Sequence, residues 1–163
     1  YARRELSLGD FLAYVFAQLL GGLAGAWLGG MLFGYGVLAH DGGSLADGQF
    51  TSELVATAVL VWMVGHLAIT KKANLIPVAV AAWVFAASSF TSSGAVANPA
   101  VAFGLVFSPS AAGLGLQQAA WYTIAEILGV TVAIILISIF AERKKVAAKK
   151  PAAKKPAAKK EAK

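Results

Sequence analysis

A chain of 163 residues in which 58% are apolar and 13% charged, with a mean hydropathy of +0.70, does not have the composition of a soluble domain. Its net charge of +6 joins two unlike parts: residues 1–141 carry four basic and six acidic side chains, whereas the segment from Glu142 carries ten basic and two acidic ones. The absence of cysteine excludes disulfides, thiolate metal sites and cysteine nucleophiles.

A helix takes about 20 apolar residues to cross the roughly 30 Å of hydrocarbon in a bilayer. After the polar opening YARRELSLGD, which reads as a chain lacking its natural start, the first such run covers Phe11 to Phe33. Its Gly21, Gly22, Gly25, Ala26, Gly29 and Gly30 set small residues four apart, a spacing that brings membrane helices close together. A connection with two Asp and no Lys or Arg, HDGGSLADGQ, leads to a second run, Ser52 to Thr70, and Lys71 and Lys72 join that to a third, Ala73 to Phe90. The uncharged stretch from Thr91 to Gln118 holds a shorter apolar run, Asn98 to Phe107. Its length as a helix is about 15 Å, half the hydrocarbon thickness. The fourth full run is Ala119 to Phe140.

Lys and Arg resist translocation, so the connections that carry them belong in the cytoplasm. Arg3 and Arg4, the Lys71-Lys72 link and the basic tail all fall on one side of four alternating spans. Both chain ends are therefore expected on the cytoplasmic side of a cell membrane, and the half-length helix is expected to dip in from the outer face and return. The expected fold class is an all-α membrane bundle with one re-entrant half-helix.

The segment Tyr14-Val-Phe-Ala17-Gln18-Leu-Leu20-Gly21 recurs as Tyr122-Thr-Ile-Ala125-Glu126-Ile-Leu128-Gly129. On this topology the two copies enter the membrane from opposite faces, as in the inverted repeats of transport folds. Equivalent roles are expected for their helices.

The richest chemistry lies in Thr91-Ser-Ser-Gly-Ala-Val-Ala-Asn98-Pro99-Ala100-Val-Ala-Phe-Gly104. Asn98 followed by Pro99 is a helix start: Asn caps the first free N–H groups, and Pro presets φ with no N–H left over. Irregular backbone at membrane depth is tolerated where it is buried in protein or lines a wet cavity. The serines and free carbonyls before Asn98 are expected to offer a ladder of hydrogen-bonding sites. Asn98 would donate to a passing solute while its oxygen holds the helix start, and the positive helix end would repel cations.

Asn98-Pro99-Ala100, preceded by a Ser/Gly-rich loop and followed by an apolar half-helix, resembles the signature of the aquaporin family. Glu53-Leu-Val-Ala-Thr57 is similar to the Glu-x-x-x-Thr pattern that opens each half of that fold, and the likeness extends from Leu6 to Phe140. It implies an aquaporin-like helical bundle over residues 1–141 containing the family's third to sixth helices, a partial inverted repeat with the first two helices and the first motif missing. It also implies that Glu53, with Thr57, braces the half-helix loop. Most members place Arg three residues after the Asn, where this chain has Val101; the corresponding filter positions fall at Ala95 and near Ala86. Small apolar side chains there imply a wide, weakly polar constriction.

The resulting expectation is a passive channel for water and small neutral solutes such as glycerol, homotetrameric as in the family, with no catalytic residue and no cofactor. Its rivals are a proton-coupled secondary transporter using Glu126 and a non-conducting stretch that only packs with other helices. His40 and His66 lack the companions of a metal site, and interfacial packing is expected of His66. The Ala-Ala-Lys-Lys-Pro repeats of residues 142–163 have too little apolar content to fold alone. Anionic lipid headgroups are their first expected partner, ahead of nucleic acid.

Overall fold

The computed structural model describes residues 6–35, 44–108, 110 and 112–149, the last nine as backbone alone. Arg3, Arg4, His40 and the tail beyond Lys149 lie outside the described residues. Five α-helices and one 3-10 turn account for the regular structure there: α1 (Leu8–Leu32), α2 (Gln49–Ile69), the turn Ala73–Leu75, α3 (Ile76–Phe90), α4 (Pro99–Leu105) and α5 (Leu116–Lys149). No strand occurs among the described residues. Four segments are long and apolar enough to cross a membrane: Leu8–Leu32, Gln49–Ile69, Ala73–Phe90 and Leu116–Phe140.

Local chemistry sets the ends of these helices. Ser7 Oγ accepts the Asp10 N–H at 3.1 Å and starts α1, and Asp10 adds an acidic group to the first turn. At its other end the Tyr35 N–H reaches the Gly30 carbonyl at 2.9 Å and Gly34 takes φ of 71°, a glycine-terminated C-cap. The same closure ends α2, with Lys72 N–H donating to Leu67 O at 2.9 Å and Lys71 at φ of 60°. Pro77 sits in the first turn of α3, where its missing N–H has no consequence. The third apolar run is thus a 3-10 turn followed by a 15-residue helix. Helix α5 begins at Leu116 and remains helical to Lys149, so eight residues of the segment expected to be unstructured continue the helix.

The main interface joins α2 to α5 through small residues. Ala125 and Ala133 of α5 are fully buried, and a Cβ added to Gly129 would lie 2.6 Å from the Leu54 carbonyl oxygen. Helix α3 packs on α2, where Trp83 Nε1 donates to Ala56 O at 3.0 Å. Helix α4 bridges the two parts of the bundle by packing on both α1 and α5. In a bilayer, apolar burial gives little drive between helices, so this close backbone approach and the polar contacts are what hold the bundle.

The repeated segments are equivalent in sequence but differ in environment. Tyr122 is 1% exposed and Tyr14 59%. The α5 copy is covered by α2 and α4, while among the described helices α1 packs on α4 and leaves Phe16 and Trp27 outward. His66 packs against the Trp62 ring, with centroids 5.9 Å apart.

Candidate functional site

The loop between α3 and α4 turns on three left-handed residues, Gly94 (φ 76°), Ala95 (φ 55°) and Ala97 (φ 48°). For an alanine this conformation costs roughly 1–2 kcal/mol, so something must hold the loop in place. Two carboxylates do so. Glu53, on α2, accepts the Val96 N–H at 2.9 Å through Oε1 and the Ala97 N–H at 2.7 Å through Oε2. Glu126, on α5, accepts the next N–H, that of Asn98, at 2.9 Å. Both glutamates are fully buried.

Asn98 has extended backbone, and its Oδ1 accepts the Ala100 N–H at 2.9 Å, the cap expected of an Asn-Pro helix start. The seven-residue helix α4 that follows is pressed against α1. A Cβ on Gly104 would lie 2.5 Å from the Gly22 carbonyl oxygen, and one on Gly22 would overlap the Ala100 carbonyl. Only part of the small-residue stripe serves this contact, because Gly21, Gly25 and Gly29 have open space where a side chain would project.

That open face and α4 enclose a groove of about 500 Å³. Its walls are mainly apolar, with polar atoms from Gln18, Asn98, Ser108 and Ser110. Among the described residues the Asn98 Nδ2 amide donates no hydrogen bond, and Asn98 lines the groove. The serines of the loop make hydrogen bonds within the protein. Ser52 and Ser92 bond to each other at 3.1 Å, and Ser93 Oγ accepts the Ala95 N–H at 3.2 Å. The first bond ties the loop to α2, and the second lies within the loop.

The sequence-derived site residues are only partly brought together. Asn98, Ala100 and Val101 line the groove and Pro99 begins α4 beside them. Ala95 is instead buried against Ala56 and Ala87, and Ala86 is exposed on α3. Neither shares the groove with Val101. Thr57 makes no hydrogen bond to the loop: its Oγ1 is buried without a partner among the described residues, and its Cβ faces Gly129 at the α2–α5 contact. The second brace is Glu126, which the sequence marked only as a repeat position and as the coupling residue of a rival transporter. The repeat held the signal, since it sets Glu126 in register with Gln18, each a polar residue inside an apolar helix.

This chain is similar to an aquaglyceroporin. The relative, from Toxoplasma gondii (strain ATCC 50611 / Me49), is 37% identical over 109 residues, which cover 64% of this chain and 40% of that protein. The chain therefore spans about 40% of the length of the curated relative it matches. No protein-family model matches, and neither does any solved structure.

Proposed function

We propose that the chain belongs to the aquaporin family and supplies part of a passive transmembrane channel for water and small neutral solutes such as glycerol. The observation that carries this reading is the disposition of Asn98. Its backbone N–H and Oδ1 are both engaged in holding the helix start, which leaves Nδ2 to donate into an apolar groove. Such a wall gives a passing hydroxyl one good hydrogen bond and gives an ion little in exchange for its hydration shell. The likeness to an aquaglyceroporin supports the same solute class.

In this reading α4 is a re-entrant half-helix, Asn98-Pro99-Ala100 is the pore motif, and Glu53 and Thr57 belong to the support of its loop. The proposed filter set is Val101 with Ala95 and Ala86, of which Val101 lies on the groove. Residues 1–141 form the transmembrane domain and residues 142–163 a cytoplasmic tail drawn to anionic headgroups. Both ends face the cytoplasm of a multi-pass, homotetrameric cell-membrane protein. A proton-coupled transporter needs a carboxylate free to exchange protons beside its substrate. Both oxygens of Glu53 and one of Glu126 are instead occupied by backbone N–H groups.

The test is stopped-flow light scattering on vesicles containing the full-length protein, challenged in turn with sucrose and glycerol gradients. Fast shrinkage in both, followed by rapid re-swelling in glycerol, is expected. Rates equal to those of empty vesicles would remove the channel reading, and flux that follows an imposed proton gradient would replace it with the transporter.

A further inference from the structure

We propose that Glu126 is a positioning residue that fixes the Asn98 amide on the groove wall and so sets how the groove discriminates among solutes; this rests on the channel reading above. Three consecutive backbone N–H groups leave the loop toward two buried carboxylates, and the division between them is informative. Glu53 takes Val96 and Ala97 and shapes the loop, but it does not reach Asn98. The last peptide before the helix is held from outside by Glu126 Oε1.

That peptide follows a strained residue. Ala97 sits at φ of 48°, from which an alanine gains by relaxing, and Asn98 follows at φ of −156°. The internal cap, Oδ1 to the Ala100 N–H, ties the side chain to the helix but leaves the Asn98 N–H unpaired unless Glu126 accepts it. A buried N–H without a partner is costly. Without that acceptor, rotation about the Ala97–Asn98 peptide relieves both problems and carries Nδ2 off the groove. The two carboxylates meet the loop together because α2 and α5 pack closely beside them: Gly129, one turn from Glu126, admits the backbone of Leu54 and Ala58, on the same helix as Glu53.

Glu126 Oε2 accepts no N–H group among the described residues and has the Glu53 carboxyl as a neighbour. One acceptor oxygen therefore suffices, and glutamine keeps it at the same reach. This separates positioning from proton carriage. The test compares full-length wild type, Glu126→Gln and Glu126→Leu in vesicles, reading the ratio of glycerol to water permeability, with residue-resolved amide exchange by NMR on the same proteins. Expected are wild-type values in Glu126→Gln. In Glu126→Leu, exchange at Asn98 should be at least about tenfold faster, with Val96 and Ala97 unchanged and the permeability ratio shifted severalfold.

An unchanged Asn98 rate and ratio in Glu126→Leu overturns the proposal while leaving the channel standing. Equal losses in Glu126→Gln and Glu126→Leu overturn it as well, because an acceptor is then not what matters. Should Glu126→Leu fail to fold, the wild type alone decides: an Asn98 amide that exchanges as fast as the unbonded loop amides overturns the proposal, and a protected one supports it. A wild type with no flux, alongside accelerated exchange in Glu126→Leu, overturns the channel reading and the discriminating role together.

Discussion

Adjacent glycines on α1 should respond in opposite ways to the same added methyl group. A Cβ on Gly22 overlaps the Ala100 carbonyl, and the reciprocal Cβ on Gly104 lies 2.5 Å from Gly22 O and 2.7 Å from Gly22 C, all backbone atoms. Ordinary contact begins at 3.4 Å, so α1 and α4 must separate by roughly 1 Å, which close-packed backbone does not absorb locally. Overpacking of this kind costs about 1–3 kcal/mol. Gly→Ala returns up to about 1 kcal/mol of helix propensity, leaving a net loss of about 0–2 kcal/mol for Gly22→Ala. Because α4 is the helix that α1 packs on among the described residues, that loss falls largely on the docking of α1. Gly21→Ala meets nothing within 4 Å and keeps the propensity gain. Thermal unfolding of the purified protein in detergent should rank Gly21→Ala at or above wild type, and Gly22→Ala and Gly104→Ala below it. Equal melting of Gly21→Ala and Gly22→Ala, or an unaffected Gly104→Ala, would refute the α1–α4 contact as the explanation.

Glu53→Leu removes the acceptors of two buried N–H groups and should lower stability by about 2–6 kcal/mol, so that little folded protein survives in size-exclusion chromatography, with Glu53→Gln milder. Ala97→Gly should hold or raise the melting temperature, because it removes a left-handed strain of roughly 1–2 kcal/mol, whereas the β-branched Ala97→Val should lower it in the same scan. Val101→Arg places a long cation on the groove wall. In the vesicle assay it should reduce glycerol re-entry more than water efflux, and equal reductions would argue against Val101 as a discriminating position.

The helices were legible because their causes are local. The apolar runs announced four spans to within a few residues, since span length answers to bilayer thickness, and Asn98-Pro99 announced the start of α4, since a cap is settled by side chains next to it. The continuation of α5 to Lys149 was not legible, because the same Lys/Ala composition that cannot form a core can extend a helix already begun.

What the sequence by itself determined, then, is the membrane setting, the number of span-forming segments and the helix start at Asn98. Tertiary structure alone decided what surrounds that start. The bond from Asn98 to Glu126 joins residues 28 apart, and it exists because Gly129 lets α5 approach α2 closely enough to aim two carboxylates at one loop. Of α1's glycines, Gly22 became a contact while Gly21, Gly25 and Gly29 became a groove wall. Spacing lays a stripe along a helix, but which edge of the stripe is covered depends on the angle at which another helix crosses it.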